Sequence, residues 1–322
     1  MSDAARNDLT GPAPIAVRRI GANLGAEIRG VDLGLPLPPT TFAAIEAALV
    51  EHEVLIFPGQ RITAEQQKAF GRMFGELTVH PFAPSDGDAP ELIIFDNDEK
   101  NPPWGTDMWH SDETFRAEPP MGTMLRSLIV PAIGGDTLFA SMSAAYEGLS
   151  ERMQQFLSGL EAVHDFKPFR QLFGEDADAR RKLHGYEERY PPVSHPIVRQ
   201  HPVSGRKVLF VNRQFTVAIR GMDETEGRTL LETLFRQVEI PEYQYRHRWE
   251  PDTLLFWDNR SVQHYAVHDY WPQRRKMERI TIRGDRPFGP VAVADPGVVR
   301  ANKARPLYGD SVGHGGHAPK ER

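Results

Sequence analysis

Two histidines and one aspartate are the residues of this sequence best suited to hold a metal ion together. His110 and Asp112 stand two positions apart, and on extended backbone such side chains project from one face. With 12 His and 44 acidic residues, about one or two such triplets arise by chance, so the pair alone is weak evidence. His264, far downstream after an apolar run, completes a set that suits Fe(II) with open positions for a chelating co-substrate and O₂. The same three ligands also suit Zn²⁺ with a bound water.

Two arginines near the last apolar run favour the first alternative. Arg275 and Arg279 share parity, so on a strand both side chains point to one face, and we expect that face to be the interior. A buried charge without a partner costs about 3–5 kcal/mol. We therefore expect two anionic ligands, although arginines paired with the protein's own carboxylates would give the same pattern.

The elements that must position these residues are mostly β. Short apolar runs bounded by Gly and Pro have the length of strands; they cover residues 54–57, 91–95, 123–130, 136–139, 208–211, 253–257 and 279–283. Helical periodicity occurs at 42–49, after a capping signal that begins at Thr63, and at 230–235. The pattern predicts a mainly β protein with flanking α-helices, built as a barrel or jelly roll.

Composition narrows the partners and the compartment. The formal net charge is −6, so no basic field exists to attract nucleic acid or anionic lipid, and neither partner is expected. The chain has no cysteine, which leaves only nitrogen and oxygen as metal ligands. Without an apolar leader or an 18-residue apolar stretch, we predict a cytoplasmic protein.

The chain is predicted to form one domain, residues 14–287, between two flexible tails, residues 1–13 and 288–322. His314 and His317 lie in the Gly-rich end of the second tail and are not predicted to bind metal. The charged segment 170–192 is interpreted as a long excursion that is either mobile or a cover over a site.

The sequence resembles the taurine dioxygenase (TauD/TfdA) family of Fe(II)- and 2-oxoglutarate-dependent dioxygenases. The resemblance runs from about residue 20 to residue 287, and its strongest blocks are Trp109-His-Ser-Asp, Gly134-Gly-Asp-Thr-Leu and Trp257-Asp-Asn-Arg with the Gln-His-Tyr-Ala-Val that follows. It implies a double-stranded β-helix core and oxidation of a substrate by O₂ with release of succinate and CO₂. Hydroxylation next to sulfur or an ether oxygen would lead to desulfonation, desulfation or ether cleavage.

The resemblance also implies roles for the site residues. His110, Asp112 and His264 would be the catalytic iron ligands, and Thr137 and Arg275 would bind the co-substrate 2-oxoglutarate. A homodimer or homotetramer is implied as well.

A second set of residues would bind the prime substrate. Arg279 and His80 match positions that bind a sulfonate, sulfate or carboxylate, and Phe215 matches a pocket aromatic. Where taurine oxidisers carry polar residues near the amine, this chain has Ala83 and Thr106. A wall without partners for an ammonium disfavours a short amino-sulfonate, so we expect an anion with a longer or aryl apolar body. Taurine itself, a zinc hydrolase and a non-catalytic anion-binding barrel are the alternatives.

Overall fold

The computed structural model of the protein describes residues 15–82 and 89–290, together with the backbone of residues 85–86. Its strands are β1 (Ala16–Arg19), β2 (Ala26–Arg29), β3 (Val54–Phe57), β4 (Ser85–Asp86), β5 (Ala89–Asn97), β6 (Gly122–Ile129), β7 (Thr137–Ser141), β8 (Glu161–His164), β9 (Val193–Pro196), β10 (Val198–Gln200), β11 (Lys207–Leu209), β12 (Thr216–Ile219), β13 (Gln244–His247), β14 (Leu254–Asp258), β15 (Val262–Ala266) and β16 (Arg275–Ile282). Its α-helices are α1 (Pro39–His52), α2 (Ala64–Arg72), α3 (Met142–Glu147), α4 (Glu151–Leu157), α5 (Ala177–Arg189) and α6 (Glu224–Phe235).

Eight strands form one large sheet in the order β1-β2-β3-β14-β6-β16-β5-β4. All its pairs are antiparallel except β2 with β3. The predicted alternation on β16 is confirmed, since Arg275 and Arg279 are buried while Lys276 and Glu278 are partly exposed. This strand therefore carries both arginines on the inner face of the sheet.

A smaller antiparallel sheet, β13-β7-β15, faces the large one. One apolar cluster joins the two sheets and contains Phe139 of β7, Val262 of β15, Leu255 and Trp257 of β14, and Met277 of β16. The other described sheets are β12-β8-β9 and the pair β10-β11. Two antiparallel sheets packed face to face make a jelly roll, so the predicted fold class is confirmed.

The helices cover the sheets where the sequence has helical periodicity. Ile45 and Leu49 of α1 pack in one cluster with Leu254 and Phe256 of the large sheet. α2 begins at Thr63 with the predicted capping box, and α6 contains the predicted segment 230–235. Each described helix is too short or too polar to cross a membrane.

The interpretation of residues 170–192 as an excursion needs correction, because most of this segment is helical. A 3-10 helix, Lys167–Leu172, is followed by α5, which Asp176 caps. The hydroxyl of Tyr186 donates to the carbonyl of Pro81 at 3.1 Å, and its ring lies 4.9 Å from that of Phe82. The helix therefore packs against the segment that leads out of His80.

The predicted tails fall largely outside the described residues. This holds for residues 1–13 and for 291–322, with His314 and His317 among them. The first residues of the predicted C-terminal extension are described, and the carbonyl of Phe288 accepts a hydrogen bond from Gln200 N at 2.8 Å.

Candidate active site

The backbone brings the two predicted metal-binding histidines together. His110 forms an isolated bridge with His264 of β15, and hydrogen bonds of 3.1 and 2.8 Å link their backbones. Oδ1 of Asp112 lies 3.7 Å from Nε2 of His110 and 3.6 Å from Nε2 of His264. Asp112 reaches them from a turn that follows the bridge rather than from extended backbone. The predicted convergence is thus present, although the strand geometry assumed for Asp112 is not.

The histidines are in the state that a metal ion requires. Nδ1 of His110 contacts the carbonyl of Met108 at 2.7 Å, which leaves Nε2 free to face the cluster. Burial lowers the pKa of His110, and burial together with His110 lowers the pKa of His264 well below its usual value. Both imidazoles are therefore neutral, the form that binds metal.

Asp112 is held in place and kept ionised. Burial acts to raise its pKa, but Arg279, the two imidazoles and a hydrogen bond from Thr123 together hold that pKa well below the usual range. Oγ1 of Thr123 donates to Oδ2 of Asp112 at 2.6 Å and accepts from Asn259 Nδ2 at 2.9 Å. Asn259 in turn accepts from Trp257 Nε1 at 2.9 Å. Oδ1 is left facing the histidines, so two nitrogens and one oxygen fit Fe(II).

Arg275 is a buried guanidinium, and no ion pair within the described part of the chain includes it. Its carbon Cζ lies 5.7 Å from the ring centres of Trp249 and of Tyr270. Burial lowers the pKa of Arg275, and Tyr270 opposes that shift. A buried cation in this situation calls for an anionic ligand.

The turn before β7 fits closely around Arg275. Gly135 has φ 74°, and a Cβ there would lie 3.2 Å from Cδ of Arg275, so only glycine suits both the backbone and the space. Thr137, two residues later, is buried, and its Oγ1 accepts from Trp249 Nε1 at 2.9 Å. Thr137 and Arg275 thus lie on one side of the same cavity.

Arg279 differs from Arg275 because a carboxylate of the protein lies beside it. Its Nη2 is 2.8 Å from Oδ1 of Asp112, but the contact lacks hydrogen-bond geometry and leaves Nη2 without a hydrogen bond among the described residues. The expectation that each arginine meets only a ligand anion therefore holds for Arg275 alone. His80, half-buried, accepts from Phe82 N through Nδ1 at 3.1 Å, and burial lowers its pKa.

One cavity of about 270 Å³ collects all eight predicted site residues. They are His80, His110, Asp112, Thr137, Phe215, His264, Arg275 and Arg279. Phe215 lies with its ring centre 6.3 Å from that of His110. Thr106 also lines the cavity and contacts His268 at 2.9 Å, whereas Ala83 lies outside the described residues.

Several cavity residues escaped the sequence-based prediction. Phe82 and Phe169 line the cavity with their rings stacked 4.7 Å apart. Phe169 belongs to the 3-10 helix, for which no motif gave a signal. Glu113 also lines the cavity, and its place directly after Asp112 was the signal that could have identified it.

Comparison with known proteins decides the family. Residues 16–281 match the family described as taurine catabolism dioxygenase TauD, TfdA family. The chain belongs to this family. The predicted family and enzyme class, an oxidoreductase of the 2-oxoglutarate-dependent dioxygenases, are therefore confirmed, as are the predicted cofactors.

Individual TauD/TfdA relatives cover nearly the whole chain. An α-ketoglutarate-dependent sulfate ester dioxygenase of Pseudomonas putida is 35% identical over 90% of this chain and 96% of its own length. An alkylsulfatase of Acinetobacter baylyi is 35% identical over 84% of this chain and 86% of its own. The crystal structure of a taurine dioxygenase from Burkholderia xenovorans superposes with a TM-score of 0.73 at 36% identity, covering 87% of this chain and 92% of that one.

Proposed function

We propose that this TauD/TfdA protein hydroxylates a small organic anion with an apolar body, using Fe(II), 2-oxoglutarate and O₂ and releasing succinate and CO₂. The observation that carries the proposal is Arg275, a buried guanidinium without a carboxylate partner among the described residues, in the same cavity as the His110, Asp112 and His264 cluster. A zinc hydrolase would have no use for a second anion site beside the metal.

The cluster and the arginine divide the binding of metal and co-substrate. His110, Asp112 and His264 would hold Fe(II), which supplies the activation of O₂ and the oxidation of a C–H bond when bound. Arg275 offers the planar fork that takes a carboxylate in two parallel hydrogen bonds, so we assign it the distal carboxylate of 2-oxoglutarate. Thr137, on the same side of the cavity, would add its hydroxyl to this site.

The substrate anion is assigned to Arg279 and His80. Nη2 of Arg279 has no hydrogen bond among the described residues, so an incoming anion can take it without breaking one. Phe82, Phe169 and Phe215 provide an apolar wall for the body of the substrate. Anchoring the anion beside the cluster holds the adjacent carbon closest to the metal site, and this position decides which C–H bond reacts.

Sulfate esters are the first substrates to consider. Two similar relatives are named as a sulfate ester dioxygenase and an alkylsulfatase. Hydroxylation of the carbon that carries the sulfate gives a hemiacetal ester, which breaks its C–O bond to yield an aldehyde and free sulfate. Sulfonates and aryloxyalkanoates present the same combination of anion and apolar body, and the wall of phenylalanines accommodates an aryl group.

Succinate release measured with a panel of alkyl sulfates, alkyl sulfonates and aryloxyacetates tests this proposal. We expect at least one class to stimulate succinate formation together with O₂ uptake, both dependent on 2-oxoglutarate. A zinc hydrolase would release sulfate with neither O₂ nor 2-oxoglutarate, and a non-catalytic barrel would consume no O₂. Either result would rule the proposal out.

Replacing Arg279 separates the two anion sites. Arg279→Ala is expected to raise the KM for the prime substrate by about 10- to 100-fold, the worth of a charge-assisted hydrogen bond, and to change the KM for 2-oxoglutarate far less. Arg274→Ala is the matched control, because Arg274 is exposed and pairs with Asp96 at 2.7 Å. Equal losses for both ligands in Arg279→Ala would mean that the two arginine roles are misassigned.

We also propose that the protein is a homodimer or homotetramer in the cytoplasm. The support is the family resemblance and the absence of an apolar leader from the sequence. Light scattering of the purified protein tests the oligomeric state, and a monomer would contradict it.

A further inference from the structure

Glu113 places a carboxylate in the cavity for which the roles above have no use. Its side chain is 1% exposed and lines the cavity. Oε2 accepts from Arg116 Nε at 2.6 Å. Oε1 is buried and has no hydrogen-bond partner among the described residues. One oxygen of this carboxylate is thus accounted for by the protein and the other is not.

The backbone at this residue is also unusual. Glu113 has φ 46°, a left-handed conformation that is unfavourable for residues with a Cβ. A buried acceptor without a donor is unfavourable as well. Two unfavourable features in one residue at the edge of a binding cavity are typical of a position that a ligand completes.

The location of Glu113 indicates which part of a ligand it meets. Glu113 directly follows Asp112, whose Oδ1 lies 2.8 Å from Arg279. The charges of Glu113 and Arg279 both act on His80. The free oxygen of Glu113 is therefore on the side of the cavity assigned to the substrate anion, where a second anionic group of a ligand would be repelled by the carboxylate.

We propose that Oε1 of Glu113 accepts a hydrogen bond from an O–H or N–H group that the substrate carries close to its anionic group, which makes Glu113 a specificity-determining residue. The inference rests on the proposed function and narrows its substrate class to hydroxy- or amino-substituted organic anions. It also revises the expectation, based on Ala83 and Thr106, of a wall without partners for an ammonium. The apolar wall of phenylalanines would still hold the remainder of the substrate.

Matched substrates and matched variants test this proposal. The substrates are hexyl sulfate and hexanesulfonate, each plain and with a hydroxyl or an amine on the carbon next to the one that bears the anionic group. The variants are Glu113→Met, which keeps the size and removes the acceptor, and Glu113→Gln, which keeps an acceptor oxygen. Arg116→Gln is the control, since it breaks the ion pair but leaves Oε1 in place.

We expect the wild type to prefer the donor-bearing member of a pair by about 10- to 100-fold in kcat/KM. Glu113→Met should lose this preference, mostly through KM, while turnover of the plain anion persists. Glu113→Gln should keep it for the hydroxyl and weaken it for the amine, and Arg116→Gln should keep both. Calorimetric binding under anaerobic conditions, with Fe(II) and 2-oxoglutarate present, gives the same comparison without turnover.

Two results would overturn the inference. One is a wild-type enzyme that turns over the plain and the donor-bearing anions equally. The other is a Glu113→Met variant with an unchanged preference. If instead no anion stimulates succinate formation at all, the proposed function itself fails, and the two failures are thereby told apart. If Glu113→Met does not fold, the opposite responses expected of Glu113→Gln to hydroxyl and amine still decide the matter.

Discussion

Thr123 offers the sharpest test of how this fold prepares a metal ligand. Thr123→Val keeps the shape of the side chain and removes the 2.6 Å hydrogen bond to Oδ2 of Asp112. A hydrogen bond to a charged group is worth about 1.5–3 kcal/mol, and loss of such a partner typically costs about 10- to 100-fold in metal affinity. Asn259 Nδ2 also loses its acceptor, so we expect a value toward the upper end.

The assay is a titration of the metal-free protein with Mn(II), in which the signal of free Mn(II) is followed by electron paramagnetic resonance. Thr281→Val is the matched control. Thr281 is paired with Thr123 in the sheet register and is equally buried, but its Oγ1 has no hydrogen-bond partner among the described residues. We expect unchanged affinity in the control. Wild-type affinity in Thr123→Val, or an equal loss in both variants, would refute the reasoning.

Two further predictions concern stability. Arg275→Met should raise the Tm of the ligand-free protein, because it removes a buried charge without a carboxylate partner among the described residues, and should weaken 2-oxoglutarate binding by at least about 10-fold; Arg126→Met, which breaks the pair with Glu278, should lower the Tm. A lower Tm in Arg275→Met would contradict the assignment of an unpaired cation. Burial raises the pKa of Glu53 from 4.5 to about 7, so the folded protein binds the extra proton and wild-type stability should fall between these pH values by up to about 3 kcal/mol. Glu53→Gln should lack this fall in urea unfolding, and equal pH profiles for variant and wild type would show that Glu53 is ionised throughout.

The strands that sequence could predict are those buried on both faces. All four residues of β3 are buried, and such a run has a clear apolar signature. β1 was missed because all four of its residues are exposed, so its pairing with β2 leaves no pattern of hydrophobicity. The helix α5 was missed for a similar reason, since none of its residues is buried and its charges resemble those of a loop.

The metal cluster was predictable because the motifs themselves carry its residues. His110 and Asp112 lie in one short block, and the backbone bridge to His264 does the rest. The parity of Arg275 and Arg279 on β16 was also sufficient to place both side chains inside.

The contacts between distant segments were not predictable in this way. Nothing in the sequence indicates that Arg279 lies 2.8 Å from Asp112, because this distance depends on how β16 packs against the turn after His110. The same holds for Phe169, which reaches the cavity through a helix far from any motif. The free oxygen of Glu113 became visible only when the partners around it could be counted.

A crystal structure of the protein with Fe(II) and 2-oxoglutarate, grown without O₂, tests the central claim most directly. We expect one iron bound by Nε2 of His110, Nε2 of His264 and a carboxylate oxygen of Asp112. We also expect the distal carboxylate of 2-oxoglutarate to make paired hydrogen bonds to the guanidinium of Arg275. Iron bound elsewhere, or 2-oxoglutarate without contact to Arg275, would contradict the account.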